Sequence, residues 1–348
     1  RINASSGLPF LHLSFEVDGA TEVDTAFDEV AQSTEEFPPF LTIRKTNVNN
    51  GLFDSISKLN QNHQLLGITL DESIPQEAMS HFQSNFVLQT GSTLRIFNIR
   101  NTNLSMQLPN LSDMSQLVCL SLENVSVQVS SLLKAICRAN LSQLQALNLS
   151  RNEATNSIDK KLTLPESLHR FDFNRVKWSE SNFQTLISLI ENRRNKTPIQ
   201  LSVADISLQD GSMKNIIRTL SRTTLQIVWL NWSHNEIDDR FIDLLSRSKD
   251  LETLIISKCL SASDSAVFSD LEEYLQHSSL KRLIVRGSPN KSLGERATFI
   301  FTALKNSQTL ELLDVSNQHW GWGHSAGYLF RQRMSSAARV RFRRMRLQ

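Results

Sequence analysis

The sequence predicts an α/β solenoid, one supersecondary unit of a short strand followed by a helix stacked many times over. Three observations lead there. A six-residue frame, apolar-x-x-apolar-x-apolar, recurs along almost the whole chain. The segments between frames carry apolar residues at helical spacing. At 348 residues the chain is too long for one compact core, yet its 11 glycines and 8 prolines are too few for long linkers between separate domains. With 40% apolar and 21% charged residues, disordered and collagen-like chains are excluded, and no apolar run approaches the roughly 18 residues of a membrane span.

The frames run in order. Leu8/Leu11/Leu13, Leu41/Ile43 and Leu65/Ile68/Leu70 open the series; Leu94/Phe97/Ile99, Leu117/Leu120/Leu122, Leu144/Leu147/Leu149 and Leu168/Phe171/Phe173 follow. Leu201/Val203 is weaker, and Leu225/Val228/Leu230, Leu251/Leu254/Ile256, Leu280/Leu283/Val285 and Leu310/Leu313/Val315 are clear, with Val340/Phe342 a faint last copy. If the copy at Leu201 starts at Pro198, successive starts from Leu65 to Leu310 lie 29, 23, 27, 24, 30, 27, 26, 29 and 30 residues apart. That is leucine-rich-repeat spacing.

Between frames, helical stripes are legible at Leu52/Phe53/Ile56/Leu59, Leu132/Leu133/Ile136/Cys137, Phe183/Leu186/Ile187/Ile190, Met213/Ile216/Ile217/Leu220, Phe241/Leu244/Leu245 and Phe299/Ile300/Ala303/Leu304. One unit cannot fold alone. About six buried apolar side chains at roughly 1.5–3 kcal/mol each fall short of ordering about 27 residues at roughly 1.5 kcal/mol apiece. Stacking supplies the rest, so the expected architecture is a curved leucine-rich-repeat solenoid with a parallel sheet on its concave side and helices on its convex side. Residues 1–348 are expected to form a single array of about thirteen irregular repeats, with 315–348 as its basic C-terminal end.

The ninth frame position usually caps backbone at the turn after the strand. Asn152 and Cys259 suit it, Thr46, Ser73, Thr102, Ser233 and Ser288 can hydrogen-bond, and Val125, Val176 and Ile206 cannot, which predicts irregular turns there. Cys259 reads as a turn residue, Cys137 as helix core and Cys119 as a residue facing the concave side. Three cysteines, an odd number, argue against a disulfide framework and for a reducing cytosol.

Charge is uneven. Ile2–Ile43 holds eight acids and no Lys or Arg, whereas Val315–Gln348 holds seven arginines and no acid, so with a total of +2 residues 1–314 carry 2 − 7 = −5. Arg339, Arg341, Arg343, Arg344 and Arg346 form a candidate basic patch, either a plain surface gradient or a dock for acidic protein, lipid headgroup or nucleic acid. A stacking platform for nucleic acid is not expected, because Phe outnumbers Tyr 18 to 2 and lies mostly on core stripes.

No catalytic constellation is legible, and no cofactor or metal is called for. The eight histidines show no His-Glu-x-x-His or Cys-x-x-Cys spacing. His319 and His324 flank a Trp-Gly-Trp-Gly stretch that reads as a loop. Gly287-Ser288-Pro289-Asn290-Lys291-Ser292 lacks the second glycine and the order of a phosphate loop and reads as a turn. Nine Asn-x-Ser/Thr sequons could mark a secreted glycoprotein, but Asn148 and Asn231 fall inside strand frames, where a glycan would crowd the sheet. The chain begins at Arg1, as a fragment would.

Because side chains alternate along a strand, residues between the frame leucines line the concave face. These include His12, Thr42, Arg44, Asp71, Asn98, Arg100, Glu123, Asn148, Arg170, Asp172, Trp229, Asn231, Arg282, Arg286 and Asp314. Trp229 beside Asn231, with Arg282 and Arg286 beyond, gives the aromatic and arginine mixture of binding hot spots. Trp229 could equally just cover neighbouring strands.

The stretches Leu144-Gln-Ala-Leu-Asn-Leu-Ser-Arg-Asn152, Leu280-Lys-Arg-Leu-Ile-Val-Arg-Gly287 and Leu310-Glu-Leu-Leu-Asp-Val-Ser-Asn-Gln318 resemble the leucine-rich-repeat domain of CARMIL proteins, the linkers of actin capping protein, branched-actin nucleator and myosin I. More loosely the chain resembles ribonuclease-inhibitor-type repeats. The CARMIL resemblance implies a non-enzymatic protein-binding scaffold in the cytoplasm, acting on the actin cytoskeleton at the plasma membrane, with actin-regulatory partners. In that family the repeats follow a membrane-binding pleckstrin-homology-like domain and precede a dimerisation segment and a capping-protein-binding tail. None of these is recognisable in this sequence, so the displacement of capping protein does not transfer to it. The sequons support a different expectation, an extracellular or pathogen-derived recognition module.

Overall fold

The computed structural model describes residues 11–16, 39–45, 50–74, 78–105, 108–260, 265–288, 290–293, 298–304, 307 and 309–318. Two compact units emerge, one of Arg1–Asp172 with Asn192–Asn195, the other of Phe173–Glu191 with Lys196–Gln348. The basic patch from Arg339 to Arg346, His319, His324, Thr46 and the frame at Val340 lie outside the described residues.

In the first unit the strands are β1 (Leu11–Glu16), β2 (Pro39–Arg44), β3 (Gly67–Asp71), β4 (Ile96–Arg100), β5 (Cys119–Glu123), β6 (Ala146–Asn148), β7 (Glu153–Ala154) and β8 (Arg170–Asp172). All but the two-residue β7 lie side by side in chain order, every pair parallel. The pairing holds the central frame residues in one register, Leu41, Ile68, Phe97, Leu120, Leu147 and Phe171, each 0% exposed. Parallel neighbours require a crossover, and here the crossovers are the helix Asn50–His63, a broken helical stretch of Met79–His81, a π turn Phe82–Val87 and Leu88–Thr90, and the helix Val129–Arg138. Leu52, Phe53, Ile56 and Leu59 are fully buried, and helical Phe82 packs its ring tilted against Phe53 at 5.2 Å and stacks on sheet residue Phe97 at 6.3 Å.

Not every repeat carries a helix. Between β4 and β5 there is one 3-10 turn, Leu111–Asp113, and between β6 and β8 residues 149–169 form turns and the short β7. From frame to frame these two intervals are 23 and 24 residues. The expected strand-plus-helix unit does not hold in either of them.

The second unit contains β9 (Lys177–Trp178), β10 (Ile199–Ser202), β11 (Ser207–Leu208), β12 (Ile227–Asn231), β13 (Thr253–Ile255), β14 (Arg282–Ile284) and β15 (Leu312–Asp314). Here β10, β12, β13, β14 and β15 form the parallel sheet, with Leu201, Leu230, Leu254, Leu283 and Leu313 as its buried central row. Helices Glu180–Glu191, Met213–Arg222, Asp239–Arg247, Ser265–His277 and Thr298–Leu304 alternate with the strands. Asp238 starts the third of these by accepting the Phe241 N–H at 3.0 Å.

One frame is displaced from its expected place. Leu225 and Val228 are only half-buried, whereas Ile227, Leu230 and Trp232 are 5%, 2% and 0% exposed. The frame is therefore Ile227/Leu230/Trp232, two residues later than the leucine pattern suggests. Trp232 decides it: the indole stacks on Phe241 at 4.9 Å and donates its N–H to the Glu236 carbonyl at 2.9 Å. The ninth position of this repeat is consequently Asn235, not Ser233.

The turns after the strands are more regular than their side chains. At the eighth frame position Lys45, Glu72, Asn101, Asn124, Arg151, Arg175, Asp205, His234, Lys258 and Asn317 all adopt left-handed backbone, φ 51° to 66°. That conformation turns the N–H along the stack. Lys45 donates to Asp71 O, Asn101 to Glu123 O, Asp205 to Ser233 O and Lys258 to Arg286 O, all at 2.7–3.0 Å. The corresponding Gly287 has a different reason to lack a side chain, since a Cβ there would lie 2.3 Å from the Asn317 carbonyl oxygen.

The ninth residue makes a second ladder. Ser73 Oγ donates to Ile43 O at 3.0 Å, Asn152 Nδ2 to Leu122 O at 2.7 Å, Asn235 Nδ2 to Val203 O at 2.7 Å and Gln318 Nε2 to Val285 O at 2.7 Å; Cys259 Sγ approaches Trp232 O at 3.4 Å. Each acceptor is the carbonyl of the last frame residue one repeat earlier. Where the ninth residue is apolar, the next repeat compensates: the N–H groups of Val125 and Ile206 donate to Asn152 Oδ1 and Asn235 Oδ1, both at 2.9 Å. The irregular turn expected at Ile206 is therefore absent, whereas after Val125 the turn does depart from the others, with Ser126 a second left-handed residue at φ 57°.

Candidate interaction surface

Opposite the buried central row, each sheet presents its other face, and residues there fall into rows set by the register. In the first unit the row preceding the central residue reads Phe40, Gly67, Ile96, Cys119, Ala146 and Arg170. Its first five members are apolar or small. Phe40 and Ile96 close over Gly67 so tightly that a Cβ at Gly67 would meet Ile96 Cβ at 2.7 Å and Phe40 Cε2 at 2.9 Å.

From Thr69 to Asn148 the row following the central residue alternates hydroxyl and amide and pairs them with one another. Asn98 Nδ2 donates to Thr69 Oγ1 at 2.9 Å, and Asn148 Nδ2 donates to Ser121 Oγ at 3.0 Å. Two residues further on, charges alternate from strand to strand as Arg44, Asp71, Arg100 and Glu123. Arg44 approaches Asp71 at 3.3 Å, and Glu123 lies between Arg100 at 3.5 Å and Arg151 at 3.7 Å. Asp172 ends the amide row. Burial pushes its carboxyl above the usual value, and Arg170, although 3.0 Å away, only partly offsets this because its guanidinium is half exposed.

In the second unit Trp229, Thr253, Arg282 and Leu312 form the preceding row and Asn231, Ile255, Ile284 and Asp314 the following one. Asn231 Nδ2 donates to Ser202 Oγ at 2.9 Å, repeating the amide–hydroxyl pair of the first unit. Arg286 binds Asp314 at 2.7 Å. Burial alone would raise the Asp314 carboxyl, but hydrogen bonds from Arg286 and Ser316 and the Arg286 charge outweigh it and hold the carboxyl below its ordinary value.

The polar and charged residues read from the sequence thus lie on these two faces: Arg100, Arg170 and Asp172 on the first unit, Trp229, Asn231, Arg282, Arg286 and Asp314 on the second. His12 lies on β1. Polarity-led reading passed over Phe40, Ile96 and Ala146 in one row and Ile255, Ile284 and Leu312 in others. The same alternation that exposed the polar residues marks these apolar ones, so the signal was present.

Chemistry beyond binding has little material here. Burial pushes the Cys259 thiol up to about 12 and the Cys137 thiol up to about 11, and it also raises Cys119. These thiols stay protonated at neutral pH, opposite to what a nucleophile needs. Cys137 is half-buried rather than part of the helix core. Among the described residues no group of three or more His, Cys, Asp or Glu could hold a metal ion, and no helix is long and apolar enough to cross a membrane. A cleft of about 670 Å³ lies between the helices Asp239–Arg247 and Ser265–His277, lined by Asp243, Asp270, Glu273, Tyr274 and His277 among others.

A parallel sheet in chain order, a buried aliphatic row renewed once per repeat, and turn ladders linking each repeat to the next define a leucine-rich-repeat α/β solenoid. Among solved structures, an internalin (inlF) from Listeria monocytogenes str. 4b F2365 is similar at a TM-score of 0.43 and 15% identity, over 93% of this chain and 91% of that one. No protein-family model matches the sequence, and no curated protein does either.

Proposed function

We propose that the chain is a non-enzymatic protein-binding scaffold that uses the open sheet face of its repeats to hold a protein partner. The observation carrying this reading is the face itself. Among the described residues it is neither uniformly polar, as a merely solvated surface would be, nor covered by another layer. It sets apolar side chains beside fixed arginines and paired amides, the composition that interface cores use.

Within that reading, the resemblance of Leu144–Asn152, Leu280–Gly287 and Leu310–Gln318 to the CARMIL repeat domain favours a cytoplasmic regulator of actin assembly near the plasma membrane. The partner would then be an actin-regulatory protein, and the Arg-rich end from Arg339 to Arg346 a peripheral contact for acidic lipid. The experiment is affinity capture with the immobilised chain, wild type against the double variant Arg282→Glu, Arg286→Glu. Partner recovery that includes actin regulators and falls in the variant supports the reading; identical recovery from both overturns the assignment to this face.

A second reading has its own observation. Sequon residues Asn103, Asn124, Asn140 and Asn195 are exposed, which an extracellular recognition module would tolerate. Sensitivity of the native protein to an N-glycosidase would favour it over the cytoplasmic one.

A further inference from the structure

The open face of the second unit carries an apolar strip built around an arginine that has no acidic partner among the described residues. Trp229, Ile255, Ile284 and Leu312 are each half-buried there. The register sets Trp229, Arg282 and Leu312 in one row with Ile255 and Ile284 in the next. Four strands at roughly 4.8 Å spacing make the strip about 14 Å wide, the length of a short extended segment at roughly 3.3 Å per residue.

The charges around the strip are committed except at its centre. Asp314 is held by Arg286 at 2.7 Å, and Glu252 by Lys281 at 2.6 Å. Glu311 sits at the start of β15, where its N–H donates to Lys281 O at 2.7 Å, beside Lys281 rather than Arg282. Arg282 is exposed and has no carboxylate within ion-pair distance among the described residues. At the nearby strand ends Lys258 adds a second cation, whose charge joins burial in holding His234 below its ordinary value. A partner laid on the strip therefore meets apolar surface and an unneutralised positive charge together.

We propose that this patch receives an extended acidic–aliphatic segment of a protein partner, its apolar side chains on Trp229, Ile255 and Ile284 and a carboxylate on the Arg282 guanidinium. An Arg–carboxylate pair of this kind can be bidentate, which fixes register along the strip as well as adding affinity. The proposal rests on the reading of the sheet face as a docking surface and adds the chemistry of what docks.

The test uses the full chain and a phage-displayed library of random peptides of about a dozen residues, enough to cross the strip. Enriched peptides should carry Asp or Glu close to Leu, Ile or Phe. Their binding should fall at least about tenfold with Arg282→Glu and with Ile284→Ser, both at partly or fully exposed sites, with thermal unfolding confirming that each variant is folded. Panning against Arg282→Glu should replace the selected acid by Lys or Arg. Peptides that need Ile284 but carry no acid and ignore Arg282 overturn this proposal and leave the face as a docking surface. Peptides indifferent to both positions, or no enriched peptides at all, overturn both.

Discussion

Two aspartates in equivalent strand positions, Asp172 and Asp314, show how little residue type alone decides. Both follow a buried central residue and both face an arginine, at 3.0 Å and 2.7 Å. In Asp172 burial prevails and the carboxyl is raised; in Asp314 hydrogen bonds from Arg286 and Ser316 prevail and it is lowered. The linkage signs are therefore opposite. Asp314 contributes stability above the unfolded carboxylate value near 3.8, and this is lost as pH falls through its lower folded value. Asp172 imposes a penalty that appears as pH rises through the same unfolded value and is complete above its raised folded value. Urea unfolding at pH 7 and pH 3 should show Asp314→Asn losing stability chiefly at pH 7, while Asp172→Asn loses none there or gains. Loss in both variants at pH 7 would refute the distinction. Neither outcome was legible from the sequence, since both residues read simply as polar positions between leucines.

At the scale of the element, the repeat from Ile227 to Asn235 tests how a frame chooses its register. Leu225/Val228/Leu230 and Ile227/Leu230/Trp232 both satisfy the apolar spacing and share Leu230, so the pattern cannot separate them. Volume and the capping ladder can. Trp232 fills the space against Phe241, and only the later frame brings Asn235 to Val203 O and the Ile206 N–H. Removing a fully buried aromatic should cost about 3–5 kcal/mol, whereas truncating a half-buried leucine should cost well under half of that. Trp232→Ala and Leu225→Ala measured by chemical denaturation therefore decide the register; a larger loss at Leu225 would restore the earlier frame.

For the whole molecule, the governing feature is that the hydrogen-bond ladders among the described residues join each repeat to its neighbours in sequence. Strand ladders, left-handed turns and ninth-position side chains all reach one repeat forward or back. Stability in such a stack is close to a sum of nearest-neighbour terms, so damage should spread locally. Leu120→Ala, which empties a fully buried position of β5 at a cost of about 2–5 kcal/mol, should speed amide exchange in β4, β5 and β6 first and leave β2 close to wild type. Uniform acceleration across the first unit, read by native-state hydrogen exchange, would instead indicate one cooperative core.

By itself the sequence determined the repeat, its spacing, the parallel order of strands and the alternation that sorts Arg100, Arg282 and Asp314 from Leu120, Leu283 and Leu313. It did so because the last two apolar residues of each frame, two positions apart, fall on one side of a strand and their neighbours on the other, and the frame is renewed about once per repeat. Tertiary structure alone decided the displaced frame at Trp232, the left-handed turns at Lys45, Asn124 and Lys258, and the substitution of one repeat's asparagine for the missing cap of the repeat before it. It also decided which face residues are paired with one another and which, like Arg282, have no carboxylate partner among the described residues. Those outcomes depend on contacts made a full repeat away, where volume, hydrogen-bond reach and burial compete, and a local pattern carries no record of which of them wins.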